Sequence, residues 1–275
     1  MTIQQIDALI EEGNSLKQIA RSFSEIANLK IKRIRAEVLR NRVFFEEMSL
    51  IYGLVRKVAT QKGIFVAKPK KRISLILTSK YRFYGNINAQ LINFFVSETS
   101  KIETDRMIIG TAAIDYFKAA KIFSNYHEVE LKTDQPTQGE LDHLIQIIKD
   151  YQEVLVFYSK LKTLLLQQPT VTNLTASIRL KGDQKVDFRF IFEPELPKIL
   201  AFFDSQILTL LLEATFLESE LSRTASRFIS MDQAESEANK FIKEYENLRS
   251  YTKRSLVNGK ILENFASLMA VSKRI

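Results

Sequence analysis

Residues 222–238 read SRTASRFISMDQAESEA. The stretch has two arginines, three acids and several small residues, but no nucleophile–base pair, metal-ligand cluster or phosphate loop. Its apolar residues recur as they would on a helix with one apolar stripe, and the stripe extends well beyond it on both sides. Ile207, Leu211, Ala214, Leu217, Leu221, Ala225, Phe228 and Met231 alternate steps of three and four, followed by Ala238, Ile242, Tyr245 and Leu248. The other end of the chain has the same rhythm: Ile31, Ile34, Val38, Asn41, Phe45, Met48, Tyr52, Val55 and Ala59. Seams of this kind belong to coiled coils.

Proline placement separates these flanks from the middle. All five prolines (69, 136, 169, 194 and 197) lie between residues 69 and 197, and the last 78 residues hold a single glycine, Gly259. Helix interiors tolerate proline least, so each flank reads as one long helix. A helix of about 60 residues is about 90 Å long, more than a compact domain of this size needs.

Charge orients the two helices. Residues 1–29 are net −2 and residues 30–42 net +5, whereas residues 204–246 are net −5 and residues 247–275 net +5. Antiparallel pairing sets opposite charges against each other along both halves. Each exposed pair contributes little, but together they favour that orientation. On this reading Ile19 lies near Ala266 and far from Leu211.

The middle has a different texture. RISLILT (72–78), RMIIG (106–110), EVLVFY (153–158) and KVDFRFIF (185–192) are short, β-rich and apolar. Helical stretches fall between them, from Ile87 to Thr99, Ala112 to Lys121 and Gln138 to Lys149. Alternation of this kind predicts an α/β domain with a largely parallel, Rossmann-like sheet. The domains expected are a shaft helix over 1–66, the α/β domain over 67–200 and a second shaft helix over 201–275.

No chemistry stands out. Gly85 and Gly110 each stand alone after their strands, so neither a dinucleotide fingerprint nor a phosphate-binding loop is present. His127 and His143, the two histidines, read as surface residues. The adjacent pairs Glu11–Glu12 and Glu46–Glu47 point about 100° apart on a helix and read as solvated faces. Residues 134–139 (DQPTQG) read as a turn. The basic clusters Lys30–Arg42 and Lys68–Arg72 lack interleaved stacking aromatics, which argues against nucleic acid. No unbroken apolar run reaches about 18 residues, so no membrane span is expected. MTIQQIDALIEEGNSL does not read as a signal peptide. The absence of cysteine excludes disulfides and fits a reducing compartment. The expectation is a non-enzyme with no catalytic residues, no cofactor and no metal.

The opening stretch nevertheless resembles a family motif. The γ subunits of rotary, proton-translocating ATP synthases carry S-E-x-A-A-R-M-x-A-M-x-x-A-x-x-N-A. Ser222, Ala225, Arg227, Met231, Ala234 and Ala238 match it without a gap. Further echoes follow the family's order. Ile19, Phe23, Ile26, Ala27 and Lys30 resemble its first helix, and Thr78 to Asn88 resembles T-S-D-R-G-L-C-G-G-x-N. Ile108 to Gly110 resembles V-G, Val154 to Lys160 resembles V-x-L-V-Y-N-K, and Phe192-Glu193-Pro194 resembles Y-E-P. There are departures too. Arg223 reverses an acid, the S-D-R-G-L-C-G-G loop keeps one glycine of three, and the late R-Q-x-x-I-T becomes Lys253-Arg254-Ser-Leu-Val257-Asn258.

The resemblance implies a divergent central-stalk rotor that couples proton-driven rotation to ATP synthesis or hydrolysis. Its partners would be a hexamer of α and β subunits, the ε subunit and the membrane ring of c subunits. It would lie peripherally at the cytoplasmic face of the inner membrane. Lys253, Arg254, Asn258, Arg227 and Lys30 are the implied partner contacts. The alternatives are the rotor of a specialised ATPase paralogue not coupled to protons and a coiled-coil nucleic-acid-binding scaffold.

Overall fold

The computed structural model describes residues 1–63, 71–177 and 195–272. The strand expected over 185–192, the Phe192-Glu193-Pro194 motif and residues 68–70 of the second basic cluster lie outside the described residues.

The proline-free flanks form helices α1 (Ile3–Gln61) and α6 (Leu196–Ser272). Pro197 falls in the first turn of α6, where its missing N–H would have had no helical partner. Between them lie β1 (Arg72–Leu77), α2 (Ile87–Thr99), β2 (Asp105–Ile109), α3 (Thr111–Ala120), β3 (His127–Val129), α4 (Gln138–Ile148), β4 (Glu153–Leu161), β5 (Gln167–Asn173) and the single turn α5 (Leu174–Ser177). The chain divides into two compact units, residues 1–26 with 228–275 and residues 27–227.

The first unit is a helix pair. On α1 its seam is Ile6, Gly13 and Ala20, and on α6 it is Ala238 and Ile242, with Ala20 and Ile6 almost fully buried. A Cβ on Gly13 would stand 2.9 Å from Ile242 Cγ1 and 3.1 Å from Phe241, so glycine is what lets the helices approach here. The pair is antiparallel, as the charges predict: Arg249 Nε meets Asp7 Oδ1 at 2.7 Å. The register differs from expectation. Gly13 faces Ile242, so Ile19 falls opposite about Ser236, not Ala266. Net charge set the orientation, but small-residue packing sets the register. Residues 253–269 are exposed apart from Gly259, with Leu262, Phe265, Leu268 and Met269 each more than 60% accessible.

The second unit is a three-layer α/β domain. Its five strands run in the order β3-β2-β1-β4-β5, parallel except for β5, which pairs antiparallel with β4. Alternation along the strands divides the core. Ile73, Leu75, Leu77, Val154 and Val156 pack with Leu141, Leu144 and Ile148 of α4 and with Leu208, Leu212 and Phe216 of α6. Ile76, Ile108 and Phe157 face the other way, against Phe95 of α2 and Phe117 of α3. Beside this sandwich, Tyr52, Val55 and Ala59 of α1 pack on Leu196, Leu200 and Ile207 of α6. Tyr52 donates to Asp204 Oδ1 at 2.5 Å, and Lys30 Nζ reaches Glu220 Oε1 at 2.5 Å, so the helices are antiparallel in this unit as well.

The helix expected from Gln138 starts there, where Thr137 and Glu140 form a capping box that ends the preceding turn. β3 and β5 go beyond the sequence reading. β5 contains Pro169, which an edge strand tolerates because its outer N–H groups need no ladder partner. The α6 helix also contains one 18-residue window with mean hydropathy 1.5, enough by composition for a membrane span. That window is 39% buried, and on the same helix Leu200, Ile207, Leu208, Leu212 and Phe216 pack inside the chain.

Candidate functional site

In open α/β sheets, ligands bind where the strand order reverses, beyond the carboxyl ends of the strands. Here the reversal lies between β1 and β4, since β2 and β3 extend one edge and the chain then returns to the other. That crevice is filled by the chain itself. The start of the opening motif, residues 222–227 of α6, packs over it, and Arg223, only 2% exposed, projects into it. Its Nη1 donates to Ser219 Oγ at 2.8 Å and to the carbonyl of Leu77, the last residue of β1, at 3.4 Å. Its Nη2 donates to the Asp134 carbonyl at 3.3 Å.

Arg223 is the centre of a clamp on the loop that follows β1. Asp134, 3% exposed, accepts from the Lys80 amide at 2.7 Å and from the Tyr84 hydroxyl. Ser226 Oγ donates to the Tyr84 carbonyl at 2.8 Å. Arg227 Nη2 donates to the Arg82 carbonyl at 2.9 Å, and its guanidinium lies 3.9 Å from the centre of the Tyr84 ring. Burial, then the Asp134 carboxylate, pushes the Tyr84 hydroxyl well above its ordinary range, so it remains a donor. The loop needs Gly85, at φ +62°, while Phe83 adopts φ +66° without glycine's freedom. Gly110, at φ +99°, is required at the next turn: a Cβ there would lie 2.4 Å from the Thr78 carbonyl oxygen.

Downstream on the same sheet edge, Glu218 accepts from the Tyr158 hydroxyl at 2.8 Å and pairs with Lys160 at 3.5 Å. Together these contacts tie α6 to the sheet and to the loops at its carboxyl end. Among the described residues no group of three or more His, Asp or Glu side chains could hold a metal. His127 lies on β3 and His143 on α4, both exposed.

The sequence-predicted contact residues separate into two sets. Lys253, Arg254 and Asn258 lie exposed on α6. Arg227 and Lys30 are engaged internally, the first with Tyr84 and the Arg82 carbonyl, the second with Glu220. Sequence reasoning passed over Asp134, taken as part of a turn, and Tyr84 and Ser226. One signal was present: Lys80 and Arg223 both stand where the family motifs carry an acid, and both bond to Asp134, the Lys80 backbone amide at its carboxylate and the Arg223 guanidinium at its carbonyl.

Comparison with known proteins agrees with this geometry. The family described as ATP synthase matches residues 2–267. The ATP synthase gamma chain of Mycoplasma capricolum is 23% identical over 235 residues, covering 82% of this chain and 83% of the relative. That of Desulforudis audaxviator is 23% identical over 255 residues, covering 85% and 86%. Among solved structures, a chain of the Euglena gracilis mitochondrial ATP synthase OSCP/F1/c-ring assembly superposes with TM-score 0.67 at 14% identity, covering 98% of this chain and 95% of that one. A chain of the Euglena gracilis rotor superposes with TM-score 0.60 at 13% identity, covering 92% and 99%. The chain thus belongs to the ATP synthase family, as a divergent γ subunit.

Proposed function

We propose that this chain is the central-stalk rotor of an F-type ATP synthase, turning inside a hexamer of α and β subunits and carrying torque to or from a membrane ring of c subunits, with ε bound alongside. The observation that carries the reading is the filled crevice. The sheet's usual ligand position is locked to the stretch of α6 that packs on it by Arg223, Ser226 and Arg227, so the position a ligand would take serves instead to hold a shaft helix. The chain itself is not catalytic. As it turns, it presents different faces to the nucleotide-binding subunits and changes their affinities in sequence. Lys253, Arg254 and Asn258 serve as the polar catch against a catalytic subunit, and the bidentate guanidinium of Arg254 suits a carboxylate partner. In this reading Lys30 and Arg227 hold the shaft that the catch drives. The assembly lies peripherally at the cytoplasmic face of the inner membrane and is coupled to protons.

The reversed charges at Lys80 and Arg223 favour keeping a second reading in view, that of a specialised paralogue rotor driving a load other than proton flow. Co-expression with the α and β subunits encoded by the same organism tests the shared claim. One copy of this chain per hexamer, with ATPase activity that depends on it, is expected. A hexamer that excludes the chain, or hydrolyses ATP equally without it, overturns the reading. Proton pumping into membrane vesicles by the complete complex, or its absence, then separates the two rotors.

A further inference from the structure

A cavity of about 430 Å³ lies on the seam between α1 and α6, bounded on a third side by the start of α4 and the loop before it. Its volume is within the range of roughly 300–1,000 Å³ usual for small-molecule sites. The cause is local. Asn41 occupies a seam position where the neighbouring turns place Ile34 and Met48, and its short side chain leaves the space unfilled.

The lining has a specific chemistry. Asn41 Oδ1 is buried and accepts no hydrogen bond among the described residues. The half-buried Glu213 lines the same cavity, and its carboxyl is held above its ordinary range, by burial first and by the Glu37 charge second. Glu37 is engaged with Arg33 at 3.0 Å, and Arg40 lies exposed at the edge. Phe44, Leu141, Phe216 and Leu217 supply an apolar wall. An unfilled acceptor and a carboxylate with no ion pair among the described residues both call for N–H donors, and the wall calls for hydrocarbon.

We propose that this cavity binds an organic ammonium ion carried on a short apolar chain, the ammonium donating to Asn41 Oδ1 and Glu213 and the chain lying against Phe44 and Leu217. Glu213 supplies the charge preference, and Asn41 sets the depth at which the ammonium stops. No part of this rests on rotation or on the exposed end of α6.

The test uses the full chain with labelled leucine methyl groups, titrated with n-hexylammonium, n-hexanol and hexanoate. Hexylammonium should shift the Leu141 and Leu217 methyls saturably and bind about tenfold tighter than hexanol, as one added charge-assisted bond implies, with hexanoate weaker still. Glu213→Gln should bring hexylammonium to within about twofold of hexanol. Asn41→Leu, which fills the cavity with a seam-compatible side chain, should abolish the methyl shifts while leaving the circular dichroism unchanged. Equal binding of hexylammonium and hexanol, unchanged affinity in Glu213→Gln, or no saturable shift with any probe would each overturn the proposal and leave a cleft that only water fills.

Discussion

Replacing Arg223 with alanine removes the buried centre of the joint between α6 and the sheet. The change strips a short hydrogen bond from Ser219 and longer ones from the Leu77 and Asp134 carbonyls, and leaves a cavity where a large side chain was 2% exposed. Breaking a buried charged network costs about 3–5 kcal/mol. The lower end applies here, since the Asp134 carboxylate keeps the Lys80 amide and the Tyr84 hydroxyl. At about 2–4 °C per kcal/mol for a chain of this order of size, the thermal midpoint followed by circular dichroism should fall by about 6–12 °C. Arg223→Glu would restore the acid of the family motif, yet it should be worse than alanine, because it sets a carboxylate into the Asp134 network. Arg223→Lys should fall between wild type and alanine. A midpoint for Arg223→Ala within about 1 °C of wild type, or an Arg223→Glu chain more stable than Arg223→Ala, would refute the assignment of Arg223 as the joint.

Gly110→Ala forces a Cβ to within 2.4 Å of the Thr78 carbonyl oxygen at φ +99°, so little folded protein should be recovered, as read by soluble yield and near-ultraviolet circular dichroism. Glu213 has its carboxyl raised in the folded state, so the native chain holds its proton more tightly and loses stability as pH rises through that range. Glu213→Gln should therefore raise the thermal midpoint at pH 7 and match wild type near pH 4, as a pair of pH–melting series would show. Exchanging the charges of Asp7 and Arg249, an exposed pair, should change stability by less than about 1 kcal/mol in denaturant titration. Lys253→Ala with Arg254→Ala should lower hexamer ATPase turnover more at low salt than at high salt, because exposed charges are screened over about 10 Å at 0.1 M, and should leave helicity unchanged.

The long helices and the parallel sheet were legible because their signals are periodic and unbroken. Proline-free flanks, three-four spacing and apolar runs such as RISLIL leave few alternatives. β3, three residues with two exposed, has no such signal, and β5 hides behind Pro169. The register of the helix pair was not legible from net charge, because charge is summed over tens of residues while packing at Gly13 is decided by a single Cβ. The joint was half legible. Arg223 stood out as a reversed charge, but Lys80 did not, and only the fold brings Asp134, more than 50 residues from Lys80, against both. The cavity at Asn41 was invisible, since a polar residue in a seam reads the same whether its partner fills the gap or leaves it open.

The central claim is that this chain turns as a shaft, and direct observation of rotation tests it most closely. The chain has no native cysteine, so Lys101→Cys, exposed in the turn after α2, gives one labelling point on the α/β domain. With the α and β subunits fixed to a surface and a bead on that cysteine, the account predicts stepwise rotation in one direction that requires ATP and stops with its exhaustion. A complex that contains the chain and hydrolyses ATP at an undiminished rate while the bead only fluctuates would contradict it.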